Sequence, residues 1–111
     1  MLPKSQRVSR KLFETAYRAS VAFSSPFFVL KISPASNEAS RFAFSVSTKI
    51  CPKAVARNKF RRRGYAAAEN LYRRIKTPVV CLFIAKKGVE KLNFPKLQSE
   101  IENLLKKVGI V

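Results

Sequence analysis

The stretch KAVARNKFRRRGYAAAENLYRRI, residues 53 to 75, followed by TPVVCLFIA, residues 77 to 85, decides how the rest of the chain is read. In the first segment Ala56, Phe60, Gly64, Ala67, Leu71 and Ile75 recur at spacings of three or four, which makes one apolar stripe along a helix from Lys53 to Ile75. Pro52 separates that helix from what precedes it. In the second segment Val79 to Ala85 is a continuous apolar run between Pro78 and Lys86-Lys87-Gly88, and its length and valine content predict a strand buried on both faces. A helix lying between strands points to a mixed α/β sandwich and not to a helical bundle. Gly64 weakens the helix by up to about 1 kcal/mol relative to alanine, so either a close crossing of helix over sheet or tolerated drift must account for it.

On the N-terminal side, Ser9 can cap a helix running through Arg18, in which the pairs Leu12/Ala16 and Phe13/Tyr17 make a broad apolar face. Phe27 to Ile32, after Pro26, reads as a strand, and Ser33 to Ser40 as a polar turn region. Arg41 to Ser47 alternates, with Phe42, Phe44 and Val46 on one face and the smaller Ala43, Ser45 and Ser47 on the other, leaving room for a ligand or for solvent. On the C-terminal side, Asn93 can cap a helix carrying Leu97, Ile101, Leu104, Leu105 and Val108, with Gly109 near its end. The order is α, two or three strands, α, strand, α, taken as α-β-β-β-α-β-α: a small two-layer α-β sandwich forming one domain over residues 1 to 111.

The 111 residues carry 23 Lys+Arg against 6 Asp+Glu, a formal net charge of +17, yet 47% are apolar, too many for a disordered basic tail. All acidic residues are glutamates, and there is no aspartate, histidine or tryptophan. Cys2His2 zinc binding and histidine acid/base chemistry are therefore excluded, and scattered glutamates are a poor supply for a protein-borne two-metal nuclease. No catalytic residue and no metal ligand is assigned to the polypeptide. Cys51 and Cys81 are too far apart for a CxxC motif and read as reduced thiols. No stretch approaches the roughly 18 to 20 apolar residues of a membrane span, and the N-terminus lacks the apolar segment of a secretory signal, so a cytoplasmic, non-membrane protein is expected.

Such a charge invites a polyanion. Residues 1 to 74 hold 16 basic and 3 acidic residues, net +13, against net +4 for the remainder, so the first two thirds should build most of the partner-binding surface. The densest block is Arg57-Asn58-Lys59-Phe60-Arg61-Arg62-Arg63, where Arg57 and Arg61 lie on one flank of the apolar stripe and Asn58, Arg62 and Tyr65 on the far side. Five cations without an acid among them repel one another at i,i+4 unless an anionic surface neutralises them. Arginine's planar fork suits phosphate oxygens. RNA is favoured over DNA, since one basic helix without a second reading module matches structured RNA better than a duplex. Phe13 and Tyr17 could stack unpaired bases, with core packing as the alternative for Phe13. Lys86-Lys87-Gly88 fits either a solvated turn or contacts to RNA.

Phe44-Ser45-Val46-Ser47-Thr48-Lys49-Ile50, followed by Lys53-Ala54-Val55-Ala56-Arg57-Asn58-Lys59-Phe60-Arg61-Arg62, closely resembles the bacterial ribonuclease P protein family. The likeness extends to Leu2, Lys4, Arg7, Phe13 and Tyr17 at the start and to Ile84-Ala85-Lys86-Lys87-Gly88 before the last helix. It implies an α/β sandwich with a left-handed βαβ crossover. It also implies a protein subunit of an endoribonuclease whose RNA subunit carries the active site and removes the 5′ leader of precursor tRNA. By resemblance, the catalytic RNA would be bound by Lys53, Arg57, Asn58, Lys59, Arg61, Arg62, Arg63 and Tyr65, and the leader by Phe13, Tyr17, Phe44, Ser45, Ser47, Lys49 and Lys86. Mg2+ would belong to the RNA subunit and substrate, with no organic cofactor, and the protein alone would be monomeric. The chain departs from the family pattern at Gly64-Tyr65-Ala66, at Ala19-Ser20-Val21-Ala22 after the first helix, and at Cys51-Pro52. A noncatalytic ribosomal or general RNA-binding protein is the alternative reading, and an independent protein nuclease a more distant one.

Overall fold

In the computed structural model, which describes residues 6–35 and 40–111, α1 spans Arg10–Ala19, β1 Val21–Ser24, β2 Phe28–Pro34, β3 Arg41–Ser45, α2 Ala54–Leu71, β4 Val79–Ala85 and α3 Phe94–Lys107. Short 3-10 turns follow α2 at Tyr72–Arg74 and precede α3 at Val89–Lys91. The expected polar turn falls partly at residues 36 to 39, and Leu2 and Lys4 of the family likeness at the N-terminus; all lie outside the described residues.

Both predicted caps form. The Ser9 hydroxyl accepts a hydrogen bond from the Leu12 amide at 3.2 Å, and the Asn93 side chain accepts one from the Lys96 amide at 2.9 Å, satisfying donors that the first turn of each helix leaves free. Gly109, with φ +82°, ends α3 in the left-handed region that glycine tolerates. Several boundaries differ from the sequence reading: α2 stops at Leu71, where the chain tightens into the 3-10 turn, short of Ile75, and β2 runs on through Ser33 and Pro34 of the expected turn because both pair with β4. Val21–Ser24, within the presumed connection, pairs as a strand because Val21 to Ser24 align against Ile32 to Val29 of β2. The strand expected to run from Arg41 to Ser47 stops at Ser45, and the chain turns where the Ser47 carbonyl accepts from the Ile50 and Cys51 amides.

The sheet order is β1-β2-β4-β3. The β1/β2 and β2/β4 pairs are antiparallel, whereas β3 and β4 are parallel and joined through α2, a βαβ unit. Alternation along β4 divides the interior. Cys81 and Phe83 face α2 and α3 with Phe28, Leu30, Phe42 and Phe44, while Val80 and Leu82 face α1 with Ala43 and Ala16. The principal layers are the sheet and the α2/α3 pair, with α1 lying across part of the opposite face. Cys51 and Cys81 are buried free thiols, and burial pushes the Cys81 thiol up to about 12.

Phe83 is the hub of an aromatic stack: Phe44 lies at 5.1 Å with rings 10° apart, Phe42 at 6.4 Å and 13°, and Phe28 edge-on at 5.7 Å. The helix α2 rests on this stack at Gly64. A Cβ there would stand 2.7 Å from Cδ1 and Cγ of Phe44, so the close-crossing explanation for the glycine holds. Phe44 cannot yield easily, being confined by Phe83, by Tyr65 at 5.1 Å and by Phe60 at 6.3 Å. The far end of α2 is tied to the sheet by the Tyr72 hydroxyl, which donates to the Ser40 carbonyl at 2.8 Å, and by the Ser40 hydroxyl, which accepts from the Val79 amide at 3.1 Å.

Gly64→Ala gains up to about 1 kcal/mol of helix propensity but forces overpacking that costs roughly 1 to 3 kcal/mol. The urea midpoint should therefore fall, and combining the change with Phe44→Leu should recover part of the loss. A midpoint raised by Gly64→Ala alone would contradict the packing described.

Candidate nucleic-acid interface

The seven residues Arg57 to Arg63 spread around α2 and serve different surroundings. The Arg57 guanidinium turns back and donates to the carbonyls of Cys51 at 3.0 Å and Pro52 at 2.8 Å, fixing the loop that leads into the helix. Arg61 donates to the Asn58 side-chain oxygen. Asn58, Arg61, Arg62 and Tyr65 line one hollow together with Arg7 from the segment before α1. Lys59 and Arg63 lie on the opposite flank, toward α3. Lys53 is the exposed N-cap residue, its side chain makes no capping bond, and the first turn of α2 holds no acid. Among the described residues, no carboxylate lies within 4.0 Å of any cation from Lys53 to Arg63. The positive end of the helix dipole thus coincides with a block of unneutralised positive charge, an arrangement that an external anion stabilises.

Tyr65 departs from the expectation of an outward-facing position. It shares the hollow of Asn58 and Arg62, as the helical spacing requires, but its ring is half-buried edge-on against Phe44. Gly64 next to it lets α2 sit low enough for Tyr65 to reach the β3 edge. Arg7 approaches the same ring at 5.9 Å, its carbonyl accepts from Arg41 at 3.3 Å, and its buried Nε has no partner among the described residues. Burial raises the Tyr65 phenol above its ordinary range, against the opposing effects of a Phe44 backbone hydrogen bond and the charges of Arg7 and Arg61.

Between α1, β3 and α2 opens a cleft of about 750 Å³. Its apolar wall includes Phe13 and Val8, its floor Ala43 and Ser45, and its charged rim Arg10 and Arg61 together with Glu14. The small-residue face of β3 therefore does border open space, although Ala43 itself packs under α1. Phe13 stacks on Tyr17 at 6.0 Å, and the Lys31 ammonium sits 3.6 Å over the Tyr17 ring, extending an aromatic and cationic strip from the cleft over β2. Tyr17 is 44% exposed.

Of the residues linked to the leader, Phe13, Phe44 and Ser45 border the cleft, Phe44 with its ring turned into the core. Tyr17 continues the strip beyond it. Ser47 and Lys49 are exposed on the turn after β3 and are not among the residues lining the cleft. Lys86 is held on the β1–β2 turn, where its ammonium meets the Ser24 hydroxyl and donates to the Ser25 carbonyl at 2.7 Å. The sequence reading did not single out Arg7, Arg10 and Lys31 for this surface. Lys31 carried a detectable signal as the lone cation of an apolar strand, on the face opposite Leu30. Among the described residues no group of three or more His, Cys, Asp or Glu is placed to hold a metal ion.

A mixed sheet with one helix on one face and two on the other, together with an acid-poor cationic helix beside an aromatic cleft, defines a small nucleic-acid-binding α/β protein. The Ribonuclease P family model matches residues 2–109. The chain is 32% identical over 117 residues to the ribonuclease P protein component of Synechococcus elongatus, covering 99% of this chain and 95% of that one. It is also 32% identical over 103 residues to that of Clostridium botulinum, covering 90% of each. Among solved structures, the Staphylococcus aureus RNase P protein superposes with a TM-score of 0.85 at 22% identity, covering 96% of this chain and 98% of that one. The Thermotoga maritima protein gives 0.81 at 22% identity, covering 91% and 96%. The chain belongs to the ribonuclease P protein family.

Because folding favours the neutral Tyr65 phenol, that contribution is full below the ordinary phenol range and is lost as pH rises from there through the raised folded-state value. Ultraviolet difference titration should show one phenol ionising above the ordinary range, absent in Tyr65→Phe. Unchanged titration in that variant would contradict the assignment.

Proposed function

We propose that α2 and the neighbouring Arg7 dock on the catalytic RNA while the cleft beside α1 holds the single-stranded 5′ leader of precursor tRNA. Family membership makes the chain part of a ribonucleoprotein enzyme in which RNA performs the cleavage that removes the leader. The observation that carries the finer reading is the adjacency of two unlike surfaces: guanidiniums with no carboxylate within 4.0 Å among the described residues, and the Phe13/Tyr17 pair on the cleft's flank. The first matches phosphates and the second the faces of unpaired bases.

In this reading the whole chain acts as one RNA-binding domain, monomeric on its own and working in the cytoplasm; no described helix is long and apolar enough to cross a membrane. Asn58, Arg61, Arg62 and Arg7 bind catalytic RNA directly, with Lys53, Lys59 and Arg63 extending the electropositive surface. Arg57 acts mainly through the loop carbonyls it holds, and Tyr65 positions Arg7 and Arg61. Phe13 and Tyr17 stack leader bases beside Ser45, Phe44 fixes the strand edge from within the core, and Lys86 sets the sheet end by gripping the β1–β2 turn. Ser47 and Lys49 meet the leader only beyond the cleft. Magnesium ions associated with the RNA subunit and substrate supply the activation of water. The protein's cations lower repulsion between the two RNAs and orient the substrate without moving a proton.

Catalytic RNA should cleave 5′-extended precursor tRNA faster with the protein than without it at low magnesium. Absence of stimulation by folded protein, or cleavage at the mature 5′ end by protein free of RNA, would refute this role. Arg61→Ala with Arg62→Ala should weaken catalytic-RNA binding and lower its salt slope by about 1 per lost phosphate contact. Tyr17→Ala should weaken holoenzyme binding of leader-bearing tRNA by roughly 1 to 3 kcal/mol, the range for one base stack, and leave leaderless tRNA unaffected. Equal losses for both substrates would remove Tyr17 from leader recognition.

A further inference from the structure

We infer that the hollow between α2, the Val89–Lys91 turn and α3 takes one unpaired nucleotide of the RNA partner, base inward on Phe60 and Leu97, phosphate outward on Lys59 and Arg63. The inference rests on the RNA-docking role of α2 and adds a site on the flank facing away from the leader cleft. The hollow measures about 170 Å³. That is close to the roughly 150 Å³ cavity that admits benzene and below the roughly 300 Å³ at which drug-sized pockets begin. It has room for one nucleobase and excludes a dinucleotide.

Charge at the mouth narrows the class of occupant. Lys59 and Arg63 stand one helical turn apart on one wall, a like-charged i,i+4 pair that an anion between them relieves. Glu90 lies on the opposite wall, and among the described residues neither cation comes within 4.0 Å of its carboxylate. Opposite charges thus border one hollow without closing it. The complementary ligand carries an anionic end, a flat apolar middle and hydrogen-bond donors on its far edge. A nucleotide has all three, and guanine best satisfies Glu90 because its ring N–H and exocyclic amine form two adjacent donors to a carboxylate. An acidic peptide with an aromatic side chain would supply the first two features but no donor edge for Glu90.

Methyl and backbone amide NMR spectra of the full chain during titration with guanosine 5′-monophosphate should show Leu97, Val89 and Ala56 methyls shifting, whereas ribose 5-phosphate should disturb only the amides around Lys59 and Arg63. Methyls unmoved by guanosine 5′-monophosphate, or moved equally by phenyl phosphate, would overturn the site. Glu90→Gln should abolish the preference for guanosine over uridine monophosphate, and a preference unchanged in that variant would count against it. Ala56→Leu, which fills the hollow, should reduce catalytic-RNA affinity by about fivefold or more, the low end of one base stack. Unchanged affinity in a folded Ala56→Leu protein would reject the site. Failure of the wider ribonuclease P reading would show separately, as lack of cleavage stimulation by the unaltered protein.

Discussion

The contact between the Gly64 backbone and the Phe44 ring governs the arrangement of everything around it. Because no side chain separates them, α2 lies directly on the Phe44–Phe83 stack, and the height of the helix over the sheet is fixed by the thickness of one aromatic ring. That height brings Tyr65 onto the strand edge, places Arg61 at the rim of the cleft, and leaves Lys59 and Arg63 over the groove toward α3.

The electrostatics follow a division of labour between the two ends of the chain. The few carboxylates with described ion pairs serve the C-terminal helix: Glu102 bridges Arg74 at 3.2 Å and Lys106 at 3.0 Å, and Glu100 meets Lys96 at 3.8 Å. Those hydrogen bonds, from Lys106 first and Arg74 next, hold the Glu102 carboxyl below its usual range. Arg57, Arg61 and Arg7 are met instead by loop carbonyls, an amide oxygen and an aromatic face, all of which orient a guanidinium without cancelling its charge. The fold thus holds the cations in place and leaves their charge available to a polyanion.

Much of this was legible from residue spacing. The α2 stripe, the doubly buried β4 run and the caps at Ser9 and Asn93 are local patterns, and each found its place because the period of the pattern equals the period of the backbone. A third strand before α2 was counted in the order but not located, since the four residues of β1, with three exposed positions, carry no alternation and become a strand only by pairing with β2. The hold on Lys86 was not legible either, since its ammonium meets residues 61 and 62 positions away. The strip over Tyr17 and the hollow facing α3 likewise depend on how separate elements are stacked. The Arg57 anchor, by contrast, reaches carbonyls only five and six residues back and lay within the range of local reasoning.

The parallel pairing of β3 with β4 also orders events during synthesis. Phe42 and Cys81 are register partners, so the strand that completes the floor beneath α2 leaves the ribosome only after the entire arginine block has emerged. Until then the nascent chain carries its densest positive charge on a helix whose apolar side has no finished surface to rest on, and self-repulsion opposes collapse. A polyanion present during that interval would offset this self-repulsion, so the charge suited to the mature protein's partner also bears on how the protein reaches its shape.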